Sequence, residues 1–579
     1  MTQSAFFCER DLNMQRDQFI LDIEPSIVCD LFAGGGGMSE GIEMALNRHA
    51  ELAINHNPHA LSMHQANHPQ TEHLIADVRE VCPYTATRGR RVGLLHASPD
   101  CTHFSQAKAG QPRDHRIRAL SWVVLHWAGT VRPEGISLEN VAQIQTWTRL
   151  VAKRDPATGR VIKIDGSIAG PREHVPVQQQ YLVPDRKRLG RTWKRFVALL
   201  RGMGYKVEWR VTRACDYGAR TTRERLLMIA RCDGADIVWP EASHSTSPTK
   251  GQQALRTAAE CIDFTIPSRS IFGRKKELAA ATLRRIAVGI DRFVLKSEDP
   301  FIVPGLEQGN VRLYSGLREP FRAVSGSGIG GPSAAAAPVL IQMGYGERDG
   351  QAPRALDIRQ PLGTVVAGGA KHAIATAYLA QMNGGFNDVR GVPGHDLRRP
   401  MSSITNKGSQ QQLITAHLAH LRGNCDARDL REPLHTISAG GQHHALVECH
   451  LSPDHEEGAL RVASFLRQHG VATNTPEGEP VTVTVGGNVY VIVDVQLRML
   501  EPRALYNAQG FPENYIIDKG HDGRIFTKTQ QIHMCGNSVS PPWAAAFISA
   551  NFAHMALPGS HPKAKRRTVQ DRLMSRAAA

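Results

Sequence analysis

The feature that most constrains the fold is a strand-like run that ends directly in a stretch of glycines. The run extends from Ser26 to Phe32, residues 33–37 read Ala-Gly-Gly-Gly-Gly, and residues 38–46 have helical spacing. Glycines let a backbone approach a ligand closely, and a helix N-terminus offers unpaired N–H groups. This strand, glycine turn and helix could bind a dinucleotide or a nucleoside cofactor, or could simply form a tight turn. It is not a phosphate-binding GxxxxGK[ST] loop, because no Lys-Ser or Lys-Thr follows.

Strand-like and helical segments then alternate along the chain. Strands are predicted to end near Asn55 and near Asp77, and further strands to cover residues 92–97, 135–138, 205–211 and 226–230, with helices between them. Residues 152–192 read as an inserted loop that is rich in Lys, Arg, Gly and Pro. Repeated alternation of this kind predicts an α/β fold with a doubly wound, mostly parallel sheet.

A cysteine follows one of these predicted strands. Ser98-Pro99-Asp100-Cys101 comes directly after the apolar run 92–97, so Cys101 lies just past a strand end, where α/β sheets place their ligands. A thiol there can act as a nucleophile if its thiolate is stabilised and accessible. Taken alone, a cysteine after a strand is more often a small buried hydrophobic residue.

Composition narrows the class of protein. The net charge of +15 indicates a polyanionic partner such as nucleic acid, although a generally basic surface would give the same value. The ten cysteines include no CxxC pair, which argues against a zinc site or a disulfide framework and for a reducing, cytoplasmic compartment. No apolar stretch is long enough to span a membrane, and residues 1–16 lack the apolar core of a signal peptide.

The pattern changes after Pro240, where helical periodicity fades and a motif occurs four times. The motif is an aliphatic residue, Arg, any residue and Pro, running into a β-rich stretch. Its copies begin at Leu317, Ile358, Leu397 and Leu430. We predict a β-rich domain of similar hairpins, with an ordinary β-rich insertion as an equal alternative.

The predicted organisation has five parts. They are an N-terminal extension (1–25), a catalytic domain (26–245), a β-rich target-recognition domain (246–497), a return to the catalytic domain (498–558) and a basic tail (559–579) that contacts nucleic acid or is merely solvated.

Taken in order, six short motifs resemble those of the DNA cytosine-5 methyltransferase family. They are Asp30-Leu31-Phe32-Ala33-Gly34-Gly35-Gly36-Gly37; Cys101 with Phe104-Ser105; Glu139-Asn140-Val141; Arg223-Glu224-Arg225; Pro502-Arg503 with Gln509-Gly510-Phe511-Pro512; and Gly536-Asn537-Ser538-Val539. Each motif is weak evidence alone, and the six together in the family's order are strong evidence. The resemblance covers roughly residues 26–235 and 498–552.

The resemblance implies a S-adenosylmethionine-dependent DNA (cytosine-5-)-methyltransferase. Cys101 would be the thiolate that adds to cytosine C6, and Glu139 the acid at N3. Arg225 and Arg223 would stabilise charge at the cytosine O2 and at the thiolate, while Asn140 and Ser105 would help to bind the substrate. The base would have to leave the duplex to reach this pocket.

The resemblance also implies which residues bind S-adenosylmethionine. They are Phe32, Gly34, Gly36, Asn55, Asp77, Leu120, Asn537 and Val539. Asn55 stands where the family usually has an acid that bonds the ribose, and Asp100 stands where it usually has proline. A carboxylate beside the thiol would raise the thiol pKa unless it points away or pairs with a cation. We therefore expect a divergent bacterial or phage-type member.

Other functions fit parts of the sequence. A relative acting on RNA such as tRNA would keep the same motifs, but the long stretch between Arg225 and Arg498 favours duplex DNA. An inactive DNA-binding relative would not need Cys101 and Glu139, and a nicotinamide enzyme would leave both unexplained. We expect double-stranded DNA as the partner, no membrane, no metal and action as a monomer. A restriction endonuclease that acts separately is a further candidate partner.

Overall fold

The computed structural model describes thirteen ranges of the 579-residue chain. They are residues 25–99, 120–264, 266, 268–297, 303–304, 334–343, 351–367, 371–381, 417–420, 427–429, 444–447, 453–485 and 488–557. The chain divides into two compact units. The first comprises the described parts of 1–261, 361–370 and 501–566, and the second those of 262–360 and 371–500.

The first unit is built on a seven-stranded sheet. The sheet is formed by β1 (Ile27–Leu31), β2 (Leu52–Asn55), β3 (Glu72–Ile75), β4 (Val92–Ala97), β5 (Gly135–Asn140), β8 (Lys206–Arg213) and β9 (Glu224–Arg231). Two short pairs lie outside it, β6 (Leu150–Ala152) with β7 (Leu182–Pro184) and β10 (His244–Ser245) with β11 (Gln253–Ala254). The sheet order is β3-β2-β1-β4-β5-β9-β8, parallel from β3 to β5 and antiparallel at β9 and β8. The predicted α/β class with a mostly parallel sheet is confirmed.

The helices of both units follow in chain order. They are α1 (Gly37–Leu46), α2 (Pro58–Asn67), α3 (Pro83–Thr87), α4 (Val123–Val131), α5 (Arg191–Gly202), α6 (Ala280–Ile290), α7 (Pro453–Gln468), α8 (Pro502–Gln509), α9 (Lys528–Asn537) and α10 (Pro541–Phe552). Helices α6 and α7 belong to the second unit and the others to the first.

Helices cover both faces of the first sheet. On one face Trp127 of α4 and Phe196 of α5 are fully buried against the sheet, and on the other Ile42 of α1 packs with Trp543 and Phe547 of α10. Each such side chain stabilises the fold by about 1.5–3 kcal/mol. Because β1 is covered on both faces, it is apolar almost throughout, as central parallel strands are.

The second unit contains an antiparallel sheet. Its strands are β12 (Arg269–Ser270), β13 (Val303–Pro304), β14 (Ala334–Gln342), β15 (Ala355–Leu356), β16 (His372–Gln381), β17 (His417–His420), β18 (Ala427–Asp429), β19 (His444–Val447), β20 (Thr482–Val485) and β21 (Asn488–Met499). The main order is β12-β21-β16-β14-β13, with β15 paired to β14 and β20 to β21, while β18-β17-β19 form a separate small sheet.

Two features of this unit differ from the sequence expectation. Helices α6 and α7 pack on the main sheet through buried residues such as Ile286 and Leu466, so the region is not built of hairpins alone. Arg498 and Met499, placed by the sequence analysis at the start of the return to the catalytic domain, continue β21 and pair with β16, and α8 begins at Pro502. Local apolar pattern does not distinguish a buried strand from a helix here.

The repeated motif can be followed in its second copy. The copies at Leu317, Leu397 and Leu430, with Arg318, Arg398 and Arg431, lie outside the described residues. The second copy leads into β16, as predicted, but its residues 361–367 belong to the first unit. This return of the chain was not predicted.

Two expectations about the wider chain can be compared with the structure. Among the described residues no helix is both long and apolar enough to cross a bilayer. Cys82 is disulfide-bonded, which the cysteine pattern did not predict. Among the residues that the structure describes, the free thiols are those of Cys29, Cys215, Cys232, Cys261 and Cys535.

Candidate active site

Four of the predicted site residues that the structure describes lie at one edge of the first sheet. Strands β1, β2, β4 and β5 are parallel, so their carboxyl ends lie along the same edge. Phe32 follows β1, Asn55 ends β2, Pro99 follows β4, and Glu139 and Asn140 end β5. This is the edge at which open α/β sheets bind ligands.

The glycine turn between β1 and α1 is open at one position and closely packed at another. Phe32 has a positive φ of 61°, which starts the turn, and a Cβ on Gly34 would meet nothing within 4 Å. Gly36 also has a positive φ, of 93°, and a Cβ there would lie 2.1 Å from the Tyr515 hydroxyl. The turn is therefore open at Gly34 and closely packed at Gly36.

The next two candidates are engaged by their neighbours. The Asn55 side chain donates to the Ala33 carbonyl (3.0 Å) and accepts from the Asn57 N–H (2.9 Å), so it supports the glycine turn. Asp77 accepts from the side chain and the backbone of Arg79 at 2.9 and 3.0 Å, and chiefly this side-chain bond lowers the pKa of Asp77. Leu120 is half-buried at the start of a short 3₁₀ turn.

The C-terminal motif returns to the start of α1. A Cβ on Gly37 would lie 2.1 Å from both the Ser538 hydroxyl and the Val539 carbonyl, so the two segments are in close contact. Val539 is buried, whereas Asn537 is exposed at the end of α9. The structure thus brings the first and last motifs of the sequence together.

A buried carboxylate and two arginines form the centre of the site. Glu139 Oε1 lies 3.0 Å from Arg225 Nε and 3.7 Å from Arg223 Nη2, and the side chains of Glu139 and Arg223 are 8% and 4% exposed. The sequence predicted all three. Although ion-paired, Glu139 Oε1 accepts no well-directed hydrogen bond from the described residues, which leaves capacity for a ligand.

Two backbone carbonyls that the sequence analysis missed hold Arg223. Its Nη1 donates to the Gly536 carbonyl at 2.9 Å and to the Val365 carbonyl at 3.2 Å. Val365 belongs to residues 361–367, which also pair with the strand-like segment at Thr221 through Leu362. A backbone contact of this kind leaves no signal in side-chain chemistry, so the local sequence could not reveal it.

Asn140 connects the carboxylate strand to the strand that precedes Cys101. Its Nδ2 donates to the Pro99 carbonyl at 3.0 Å, and its Oδ1 accepts from the Val141 N–H at 2.9 Å. Asn140 is buried, so these bonds fix the chain at Pro99 beside the end of β5. Cys101 and Ser105 themselves lie outside the described residues.

A buried polar chain runs beneath the glycine turn. Ser39 donates to Asp30 Oδ2 at 3.0 Å, His64 Nε2 lies 3.0 Å from the Ser39 hydroxyl, and His64 Nδ1 lies 2.8 Å from His73 Nε2. Burial raises the pKa of Asp30 to about 7, which the Ser39 hydrogen bond and the His68 charge only partly oppose. Burial also lowers the pKa of His73 to about 4.

The raised pKa of Asp30 predicts a pH-dependent stability. Between about pH 4 and pH 7 the unfolded chain loses this proton while the folded protein keeps it, so the free energy of unfolding decreases by about 4 kcal/mol in total. Asp30→Asn should lack this slope, and the exposed Asp236→Asn should retain it. Urea unfolding at fixed pH values from 4 to 8 measures the difference. Parallel profiles for the native protein and Asp30→Asn would contradict the assignment.

The fold and the chain can now be compared with known proteins. A mostly parallel sheet in which β9 runs opposite to the other six strands, with helices on both faces, is consistent with the Rossmann-like fold of methyltransferases. A family model described as "C-5 cytosine-specific DNA methylase" matches residues 27–152 and 182–274. These two ranges make up less than half of the chain, and over them the chain is similar to this cytosine-C5 methyltransferase family.

Two curated relatives and one solved structure show the extent of the similarity. Type II methyltransferase M1.HphI of Haemophilus parahaemolyticus is 26% identical over 231 residues, which are 38% of this chain and 50% of that protein. Type II methyltransferase M.AgeI of Thalassovita gelatinovora is 24% identical over 38% of this chain and 43% of its own. The chain thus spans half or less of each relative's length. The S. pombe Dnmt2 methyltransferase aligns over 91% of this chain and 98% of its own, at 12% identity and a TM-score of 0.40.

Proposed function

We propose that this protein methylates C5 of cytosine in DNA with S-adenosylmethionine as methyl donor. The observation that carries the proposal is the cluster of Glu139, Arg223 and Arg225. Asn140, next to Glu139, bonds the carbonyl of Pro99, two residues before Cys101. The match to the cytosine-specific methylase family model supports the reaction class, and the geometry supports a role for each of these side chains.

The reaction needs a nucleophile because cytosine C5 is itself a poor one. The Cys101 thiolate adds to C6, which places electron density at C5 and lets C5 take the methyl group. A base then removes the C5 proton, the C6–S bond breaks, and the thiolate and the aromatic ring are regenerated. The Asn140 bond to the Pro99 carbonyl holds the chain that leads to Cys101.

Glu139 and the arginines act on the opposite part of the ring. Addition at C6 increases electron density at N3, where the Glu139 carboxyl can donate a proton or a hydrogen bond. Arg225, which is paired to Glu139, orients the carboxyl and can reach the cytosine O2. Arg223 is buried and held by two carbonyls, so its charge is fixed before substrate binds. The target base leaves the duplex to enter this pocket.

The chain's own residues offer a place for the methyl donor, which supplies an electrophilic methyl group when bound. The space beside Gly34 is open where the backbone turns from β1 to α1, and the N-terminus of α1 faces this turn. Phe32, Gly36, Asp77, Leu120, Asn537 and Val539 complete the proposed set. Asn55 can contribute only its second amide hydrogen and its second lone pair, because Ala33 and Asn57 take the others.

The second unit is the proposed reader of the DNA sequence. Its repeated arginines, Arg318, Arg359, Arg398 and Arg431, would contact phosphates or guanine edges, and local pairing to acids remains an equal alternative. In the described copy, the Arg359 backbone N–H donates to Asp357 Oδ1 at 2.8 Å. This bond forms a turn and does not involve the guanidinium, so it does not distinguish DNA contact from local pairing. Monomeric action and a separate restriction endonuclease belong to the same proposal.

Methylation in cells tests the function directly. The protein is expressed in a strain without cytosine methylation, and its DNA is sequenced after bisulfite conversion. We expect protected cytosines in one sequence context, and none with Cys101→Ser produced at the same level. Unprotected DNA together with transfer of labelled methyl groups to purified tRNA would overturn the DNA assignment.

A further inference from the structure

Three side chains of the first unit converge beside the C-terminal half of α1. They are Glu43 in α1, His49 just after it, and His68, which directly follows α2. Both histidine Nδ1 atoms lie 2.5 Å from Glu43 Oε1, and the three atoms lie within 4.8 Å of one another. The His68 side chain is 1% exposed, Glu43 24% and His49 41%, so the cluster is open to solvent on one side.

The hydrogen bonds beyond His68 determine which of its nitrogens carries the proton. The Tyr515 hydroxyl lies 2.7 Å from the Gly35 carbonyl and must donate to it, because a carbonyl only accepts. The same hydroxyl lies 3.1 Å from His68 Nε2. Having used its hydrogen, Tyr515 accepts from His68, so Nε2 carries the proton.

With Nε2 engaged by Tyr515, Nδ1 of His68 faces the Glu43 carboxylate, and His49 Nδ1 meets the same oxygen. The three donor atoms converge within 4.8 Å. Small side-chain rotations that lengthen the two 2.5 Å contacts would let one cation contact all three. The last turn of α1 contains no basic residue, and the negative end of the helix favours a cation there.

We propose that Glu43, His49 and His68 form a site for a divalent cation of the zinc class. Two imidazoles and one carboxylate are a donor set that Zn²⁺ accepts, and the exposed side leaves room for water as a fourth ligand. The contact from His68 Nε2 to Tyr515 is the outer hydrogen bond that metal-binding histidines usually make. The expectation of no metal rested on cysteine spacing and did not consider these histidines.

The site would have a structural role in the glycine turn. A cation joins the end of α1 to the end of α2, and the contacts from His68 to Tyr515 and from Tyr515 to Gly35 carry this constraint to the turn. Gly36 is packed against the same hydroxyl. The cation takes no part in methyl transfer, so the inference stands independently of the proposed activity.

Metal binding by untagged full-length protein tests the site. After treatment with a chelator and dialysis, Zn²⁺ is titrated by calorimetry, and Co²⁺ is added separately to record its visible absorption. We expect the native protein to bind one equivalent that His49→Ala and Glu43→Gln weaken at least tenfold. His174→Ala, which removes an exposed histidine outside the cluster, should bind as the native protein does.

The thermal midpoint of unfolding provides a second measurement. Zn²⁺ should raise it in the native protein and in His174→Ala, and much less in His49→Ala, which replaces a partly exposed side chain and is expected to fold. Equal Zn²⁺ affinity in the native protein, His49→Ala and Glu43→Gln would overturn the proposal. Absence of binding to the native protein would do the same.

Discussion

Replacing Cys101 with serine is expected to abolish methyl transfer and to leave the fold and the binding of S-adenosylmethionine nearly unchanged. A serine hydroxyl is far less acidic than a thiol and cannot supply the anion that adds to cytosine C6. Loss of a nucleophile in other enzymes lowers kcat by roughly six orders of magnitude, and we expect an effect approaching this size. Transfer of labelled methyl groups to duplex DNA measures it, and circular dichroism checks the fold.

A trapping experiment separates the covalent role from a merely structural one. In DNA that contains 5-fluorocytosine, the fluorine at C5 cannot leave as a proton does, so the cysteine adduct persists after methylation. The native protein should form a complex that survives denaturant, and Cys101→Ser should form none. Cys29→Ser, which alters a buried thiol within β1, should still form the adduct. Substantial turnover by Cys101→Ser would remove this residue from the mechanism.

Replacing Glu139 with glutamine is expected to lower kcat by about 10²- to 10⁴-fold, the usual contribution of an acid or base group. An amide can still donate a hydrogen bond to N3 but cannot transfer a proton. The change also leaves Arg225 and Arg223 without their partner in a buried site, which costs stability. Single-turnover rates, measured with saturating DNA and methyl donor, isolate the chemical step from binding.

Glu224→Gln is the matched control for this experiment. Glu224 lies between the two arginines in sequence, and its side chain is exposed. It should have nearly native rates, and its thermal midpoint should change little. If Glu139→Gln lost stability but kept its single-turnover rate, Glu139 would be a structural partner of the arginines and not an acid.

The first unit could be predicted because its signals are local. Buried parallel strands are short apolar runs, and α5 repeats apolar residues at helical spacing with Trp193, Phe196, Val197 and Leu200 on its buried face. Glycine-rich turns mark the boundaries between strand and helix. Alternation of these two patterns is sufficient to indicate a doubly wound sheet.

The second unit shows where such signals fail. Helix α7 has a clear buried face, including Val462 and Leu466, but it stands among Gly-, Ser- and Pro-rich stretches that suggested strands. The end of β21 and the start of α8 are separated by two residues, and the apolar pattern runs through both. Pairing with β16 determines where β21 ends, and Pro502 determines where α8 begins.

Sequence motifs identified the residues of the candidate site, but only the structure shows how these residues are arranged. The sequence named Glu139, Arg223 and Arg225 without showing that one carboxylate oxygen meets both arginines. Nor could it show the carbonyls that hold Arg223, since any residue supplies a carbonyl. The cluster of Glu43, His49 and His68 was missed for a related reason, because its members come from separate elements.

Residues 361–367 have a consequence for exchanging recognition regions between related enzymes. A chimera that grafts a foreign region from residue 262 to residue 500 would also replace the Val365 carbonyl that holds Arg223. Such a hybrid would be expected to bind its new sequence and turn over poorly. Keeping residues 361–367 of this chain, and joining foreign segments on either side of them, would leave Arg223 with its Val365 contact. Exchanging this region therefore requires two separate grafts, one on each side of residues 361–367.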